Sequence, residues 1–170
     1  DGFSVIDYKQ VRTQLGDWED INALSSAKKL MFDGVINHIS AKSDWVADHL
    51  ANIPDRTNMV FEDDALKDWS QVVRPRTSPL FHDFEDDMGT KRELWTTFSQ
   101  DQVDLDYRNP KLLLAIVEVL FFYVFKGAII IRLDAIGFMW KEPGTTCIHL
   151  PQTHALVQLF RMTLAELAPS

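Results

Sequence analysis

The stretch from Asn109 to Gly137, "NPKLLLAIVEVLFFYVFKGAIIIRLDAIG", decides the fold. Asn109 can cap a helix and Pro110 suits its first turn, where a missing N–H costs nothing. The apolar run continues to Phe125, and Gly127 follows as a C-terminal stop. "AIIIRL" is then a short β-branched run of the kind found in parallel strands covered on both faces. A helix that feeds directly into such a strand is half of a βαβ unit. The strand finishes on Arg132 and Asp134, which are two apart and therefore point the same way.

The same pattern is repeated outward. Upstream, "LGDWEDINALSSAKKL" reads as a helix with Asp17 as N-cap, acidic residues in its first turn, and Lys28 and Lys29 at its C-terminal end. It leads into "LMFDGVINH", a second apolar run with a polar end, predicted as a strand in which Asp33, Val35 and Asn37 share a face and His38 sits at the exit. Residues 39–106 hold "NIPDR", "RPRTSP" and "FEDDMGT" without a sustained period, which predicts an irregular excursion with little regular structure. A last helix is expected from about His154 to Ala168. The order helix, strand, excursion, helix, strand, helix predicts an α/β fold with a parallel sheet.

Composition narrows the function. The 170 residues are enough for one hydrophobic core. The net charge of -8 and the lack of a Lys/Arg stripe exclude a nucleic-acid footprint and disfavour an anionic membrane surface. Leu112–Phe125 is interrupted by Glu118 and stops well short of the roughly 20 apolar residues a membrane span needs, so no membrane is expected. Cys147 is the only cysteine, and a reducing cytoplasm is the default location. The chain opens on "DGFSVIDY" without an initiator Met or a signal-peptide pattern, as expected of a piece from inside a longer protein.

In parallel α/β folds chemistry gathers where strands end. Arg132 beside Asp134 suits a carboxylate kept ionised for nucleophilic attack, and equally a structural ion pair at a strand tip. "DGVINH" and "IRLDAIG" resemble the first and second signature regions of the α-amylase superfamily, glycoside hydrolase family 13. "GFSVIDY", "LGDWEDI", "RPRTSPLF", "WTTFSQDQVDLDYRNP" and "WKEPGTTCIHLPQTH" resemble its sucrose phosphorylase subgroup, including the glucosylglycerate- and glucosylglycerol-directed relatives. The likeness runs through essentially the whole chain.

The resemblance implies a partial (β/α)8 TIM barrel. Residues 1–38 would supply a loop, the second helix and the third strand; 39–106 a domain-B-type excursion; and 107–170 the third helix, fourth strand and fourth helix. It implies a retaining phosphorylase that moves glucosyl from an α-glucoside to inorganic phosphate through a covalent glucosyl-aspartate; no cofactor and no metal are expected. Asp134 would be the nucleophile and Arg132 the residue that orients it, with Asp33 and Asn37 as structural partners. Phe3, His38, Phe98, Gln102 and Phe138 would contact the substrate, and Arg76 the phosphate. The family's general acid Glu and its third carboxylate belong to later strands, so the chain alone is expected to be inactive. Val73 and Phe138 stand where sucrose phosphorylases tend to carry Tyr, which points away from fructose as acceptor. A hydrolase or transglucosidase of the same superfamily, or an inactive remnant, is the alternative. The oligomeric state is left open.

Other features have plainer readings. His149 and His154 are spaced poorly for zinc and are expected to pack in a loop or contact the acceptor. Trp45, Trp69, Trp95 and Trp140 are expected mainly to pack. The acidic runs at Phe61 and Phe84 read as solvated loops, with which Arg74 and Arg76 could pair.

Overall fold

The computed structural model describes residues 2–62 and 67–168. In chain order the elements are α1 (Trp18–Ser25), β1 (Leu30–Val35), β2 (His38–Ser40), α2 (Asp44–Leu50), β3 (Phe81–Glu85), β4 (Lys91–Trp95), β5 (Gln102–Asp104), α3 (Pro110–Phe125), β6 (Ala128–Asp134), a 3₁₀ turn (Ile136–Phe138) and α4 (Pro151–Leu167). β1 and β6 pair in parallel, with Asp33 opposite Arg132 and Val35 opposite Asp134. β2 pairs with β5 and β3 with β4, both antiparallel.

The decisive stretch folds as its residues dictate. The Asn109 side chain accepts from the Lys111 N–H at 2.9 Å, Pro110 opens α3, and Gly127 closes it at φ 94°. Leu112, Ile116, Val119, Leu120 and Tyr123 form the buried stripe of α3 at helical spacing. No helix is long and apolar enough to cross a membrane, among the described residues. Gly34 lies where a Cβ would come within 3.0 Å of the Leu133 side chain, so its lack of a side chain leaves room for Leu133 and Ile131 of β6 beside β1.

Four expectations need correction. Lys28 and Lys29 lie beyond α1, which ends at Ser25: the hydroxyls of Ser25 and Ser26 both bond the Asn22 carbonyl and compete with the helix ladder. Its start is as expected, with Asp17 and Asp20 closing a reciprocal capping box. "LMFDGVINH" is two strands. After Val35 the chain leaves β6 and His38 begins β2 against Asp104. The switch is held by two buried tyrosines: the Tyr8 hydroxyl donates to the carbonyls of Val35 (2.8 Å) and His38 (3.2 Å), and the Tyr107 hydroxyl to that of Ile36 (2.6 Å). Burial raises both phenol pKa values well above the ordinary range, so both stay protonated donors.

β6 is not covered on both faces. Ile129 and Ile130 are 58% and 55% exposed, because the only strand beside β6 among the described residues is β1. Finally, residues 39–106 are not irregular throughout. They contain α2, the β3–β4 hairpin and β5, and Ile39, Val46, Met59, Val60, Leu94, Val103 and Leu105 share one core with Tyr8, Ile116, Met139 and Phe160. The hairpin turns on "DDMG": Asp86 accepts from the N–H groups of Met88 and Thr90, and Gly89 takes φ 76°. The acidic run at Phe84 is thus a turn. Of the run at Phe61, Glu62 is paired by Arg92, while Asp63 and Asp64 lie outside the described residues.

Trp95 is buried and packs edge-on against Phe61 and Trp69, and Trp45 tilts on Tyr8 at 5.5 Å, so these rings act in packing. α4 begins at Pro151, three residues earlier than expected, since Pro fits the first turn.

Candidate active site

β6 delivers Asp134 to its C-terminal end. Ala135 follows at φ 54°, a left-handed conformation that costs a non-glycine residue free energy, and the chain then enters the 3₁₀ turn that carries Phe138. The sharp exit leaves the Asp134 side chain 31% exposed at the strand tip. Arg132 donates through Nε to Asp33, its direct neighbour across the ladder, and its Nη2 lies 3.9 Å from Asp134 Oδ1. The guanidinium therefore bridges two carboxylates, one tightly and one at longer range.

A cavity of about 270 Å³ opens beside Asp134, lined also by Phe3, His38, Arg76, Phe98 and Gln102. Six residues singled out from five separate motifs thus line one space. Phe138 does not line it directly, but packs edge-on against Phe98 at 5.5 Å, and Phe98 in turn tilts over His38 at 5.2 Å. Arg132, Asp33 and Asn37 do not line it; Arg132 reaches it through Asp134 and Asn37 through His38.

His38 is buried, with Nδ1 3.3 Å from Asn37 Nδ2 and Nε2 3.0 Å from the Phe3 carbonyl. An amide N–H on Nδ1 makes that nitrogen the acceptor, so the proton sits on Nε2 and donates to Phe3. Gln102 Nε2 also donates to the Phe3 carbonyl, at 3.3 Å. Burial lowers the His38 pKa below its ordinary 6.5, and outweighs Asp104, which pulls it up. His49, between Glu62 and Arg92, is lowered in the same way, first by burial and then by Arg92.

Both histidines therefore bind fewer protons folded than unfolded as pH drops below 6.5, which makes stability fall in that direction. The unfolding midpoint in urea is expected to be lower at about pH 5.5 than at about pH 7.5, and His49→Gln should shrink the difference. An unchanged midpoint would contradict the neutral assignment.

The largest feature missed in the sequence is an ion pair. Lys141 Nζ lies 2.7 Å from Asp104 Oδ2, with both side chains at most 1% exposed. Asp104 also accepts from the Thr97 N–H (2.9 Å), the Thr97 hydroxyl (2.7 Å) and Asn37 Nδ2 (3.0 Å). The pair thus anchors Asn37, and through it one side of His38. The signal was present: Asp104 sits between Val103 and Leu105 in an apolar strand, where a charge demands a buried partner. "MWKEPG" offered Lys141, but only folding brings the two together.

His149, in the loop after the 3₁₀ turn, stacks on His154 of α4 at 6.1 Å and lies close against Gly137, so the pair acts in packing. Arg74 does not line the cavity, and Arg76 forms no ion pair with the acidic runs among the described residues.

Glucosylglycerate phosphorylase of Escherichia coli (strain K12) is 51% identical over 99% of this chain, and sucrose phosphorylase of Agrobacterium vitis is 32% identical over 98% of it. The chain spans about a third of these relatives, 30% and 35% of their respective lengths. The crystal structure of sucrose 6F-phosphate phosphorylase from Thermoanaerobacter thermosaccharolyticum matches with a TM-score of 0.88 at 24% identity, covering 97% of this chain and 37% of that one, which is a likeness of fold. The family model for the α-amylase catalytic domain matches residues 1–168, and the chain belongs to that family.

Proposed function

We propose that the protein carrying this chain is a retaining glucoside phosphorylase in carbohydrate metabolism, acting on an α-glucoside of the glucosylglycerate, glucosylglycerol or sucrose type. The observation that supports it best is the meeting of Asp134, His38, Phe3, Phe98, Gln102 and Arg76 around one cavity at a strand end. In this reading an Asp134 oxygen attacks the anomeric carbon, the bond to the aglycone oxygen breaks, and that oxygen takes a proton from a carboxylic acid on a later strand. Phosphate then attacks the same carbon from the vacated side, returning a proton to that carboxylate as the bond to Asp134 breaks, and α-glucose 1-phosphate leaves with the original configuration.

Arg132 orients Asp134. His38 and Gln102 offer N–H groups to glucosyl hydroxyls in place of the Phe3 carbonyl, while Phe98, held by Phe138, forms an apolar wall. Arg76 receives the phosphate. β1 and β6 are the third and fourth strands of an eight-stranded barrel, whose other strands would pair with their free edges and cover Ile129 and Ile130. Residues 39–106 are the domain inserted after the third strand. A cytoplasmic location fits a reaction that consumes inorganic phosphate.

The test is to incubate the full-length enzyme with a panel of α-glucosides, with and without inorganic phosphate. Glucose 1-phosphate formed only with phosphate is the expected result. Free glucose released at the same rate without phosphate would replace this reading with that of a hydrolase.

A further inference from the structure

A neutral imidazole carries its proton on one ring nitrogen or the other, and the choice decides what His38 offers to the cavity. Nε2 is the nitrogen that faces Phe3 and Gln102 of the cavity wall. The choice is made on the other side of the ring. Nδ1 lies 3.3 Å from Asn37 Nδ2, and the same amide nitrogen donates to Asp104 Oδ2 at 3.0 Å. Asn37 is fully buried, and its Oδ1 has no hydrogen-bond partner among the described residues. The orientation of this amide therefore rests on its nitrogen, which needs an acceptor at Asp104.

Asp104 meets only donors. Its Oδ1 accepts from the Thr97 N–H at 2.9 Å, and its Oδ2 faces the Thr97 hydroxyl (2.7 Å), Asn37 Nδ2 and Lys141 Nζ (2.7 Å). The Thr97 hydroxyl accepts from Trp95 Nε1 at 2.9 Å and donates onward to Asp104. The backbone fixes the distance, since Asp104 of β5 pairs directly opposite His38 of β2.

A turned Asn37 amide would support a second network. With Oδ1 toward His38, the ring would carry its proton on Nδ1, and Nε2 would become a lone pair into which Gln102 Nε2, 3.2 Å away, could donate. The Asp104 carboxylate excludes this state, because Oδ1 of Asn37 would meet Oδ2 of Asp104 as acceptor against acceptor.

We infer that Asp104 is a positioning residue for the glucosyl site: through Asn37 it holds the His38 proton on Nε2, so that His38 meets a glucosyl hydroxyl as a donor. This rests on the reading of His38 as a substrate contact given above. Asp104 itself does not line the cavity and acts only through Asn37.

The experiment uses the full-length enzyme with its histidine side chains labelled with the heavy nitrogen isotope, and the His38 signals are assigned by their loss in His38→Gln. Nuclear magnetic resonance is expected to place the wild-type proton on Nε2. Asp104→Asn gives position 104 an amide that can donate to a turned Asn37, so the proton should move to Nδ1. Asp104→Asn combined with Lys141→Met leaves no lysine without a partner and should show the same move. Activity is read as fluoride release from α-glucosyl fluoride, which commits to no acceptor. In both variants kcat/KM should fall by about 10- to 100-fold, the loss of one hydrogen bond to the substrate. A wild-type proton on Nδ1, or a proton that stays on Nε2 in both variants, overturns the inference. So does a proton that moves while kcat/KM is unchanged. Fluoride release unaffected by His38→Gln overturns instead the reading of His38 as a substrate contact.

Discussion

Replacing Asp134 with Asn is expected to lower kcat of the full-length enzyme by about 10⁴-fold or more, because the amide cannot form the glucosyl ester that the double displacement requires. The fold should not register the change. Asp134 is partly exposed, its only ion pair among the described residues is the 3.9 Å approach of Arg132, and Arg132 keeps its closer partner Asp33. Activity and thermal midpoint, measured together, therefore separate a chemical role from a structural one. Residual activity within about tenfold of wild type would remove Asp134 from the mechanism, and a large fall in midpoint would recast it as a strand-end anchor.

Lys141 is expected to show the reverse. Lys141→Met removes one half of a buried pair and leaves Asp104 charged among Thr97, Asn37 and apolar side chains. Breaking such a pair from one side costs about 3–5 kcal/mol, whereas replacing both members by neutral groups is often close to neutral. The double change Lys141→Met with Asp104→Asn should therefore be less destabilised than Lys141→Met alone, since the amide introduced by Asp104→Asn keeps an oxygen for the Thr97 N–H without a bare charge. Urea unfolding of the four proteins in this cycle measures the coupling. Additive effects would show that the two residues do not act as a pair.

The two kinds of residue differ in how far they could be read in advance. Asp134 and Arg132 sit two apart at the end of a β-branched run, so their common direction follows from strand geometry and their chemistry from a short motif. His38, Phe98, Gln102 and Arg76 are likewise carried by local motifs. Lys141 and Asp104 belong to segments far apart in the chain that showed no sign of touching. Nor did the sequence reveal where β1 stops. An apolar run bounded by polar residues looks like one strand until Tyr8 and Tyr107, from distant segments, take up the carbonyls at the bend.

The excursion was misjudged for a related reason. Its strands are three to five residues long and its helix seven, too short for periodicity to rise above noise. What stabilises them is non-local: Val103 and Leu105 belong to one core with residues of α3 and α4, and β5 gains its ladder from β2.

The sequence by itself determined the elements whose information is local: α3 with its caps, the parallel strand β6, the polar strand end at Asp134, and the family to which the motifs belong. Only the tertiary structure decided that the cavity's six residues meet and that Lys141 is spent on Asp104. Caps, periods and turn residues act over a few positions, where the chain's own geometry suffices. Which charges neutralise each other depends on which segments meet once the core has closed.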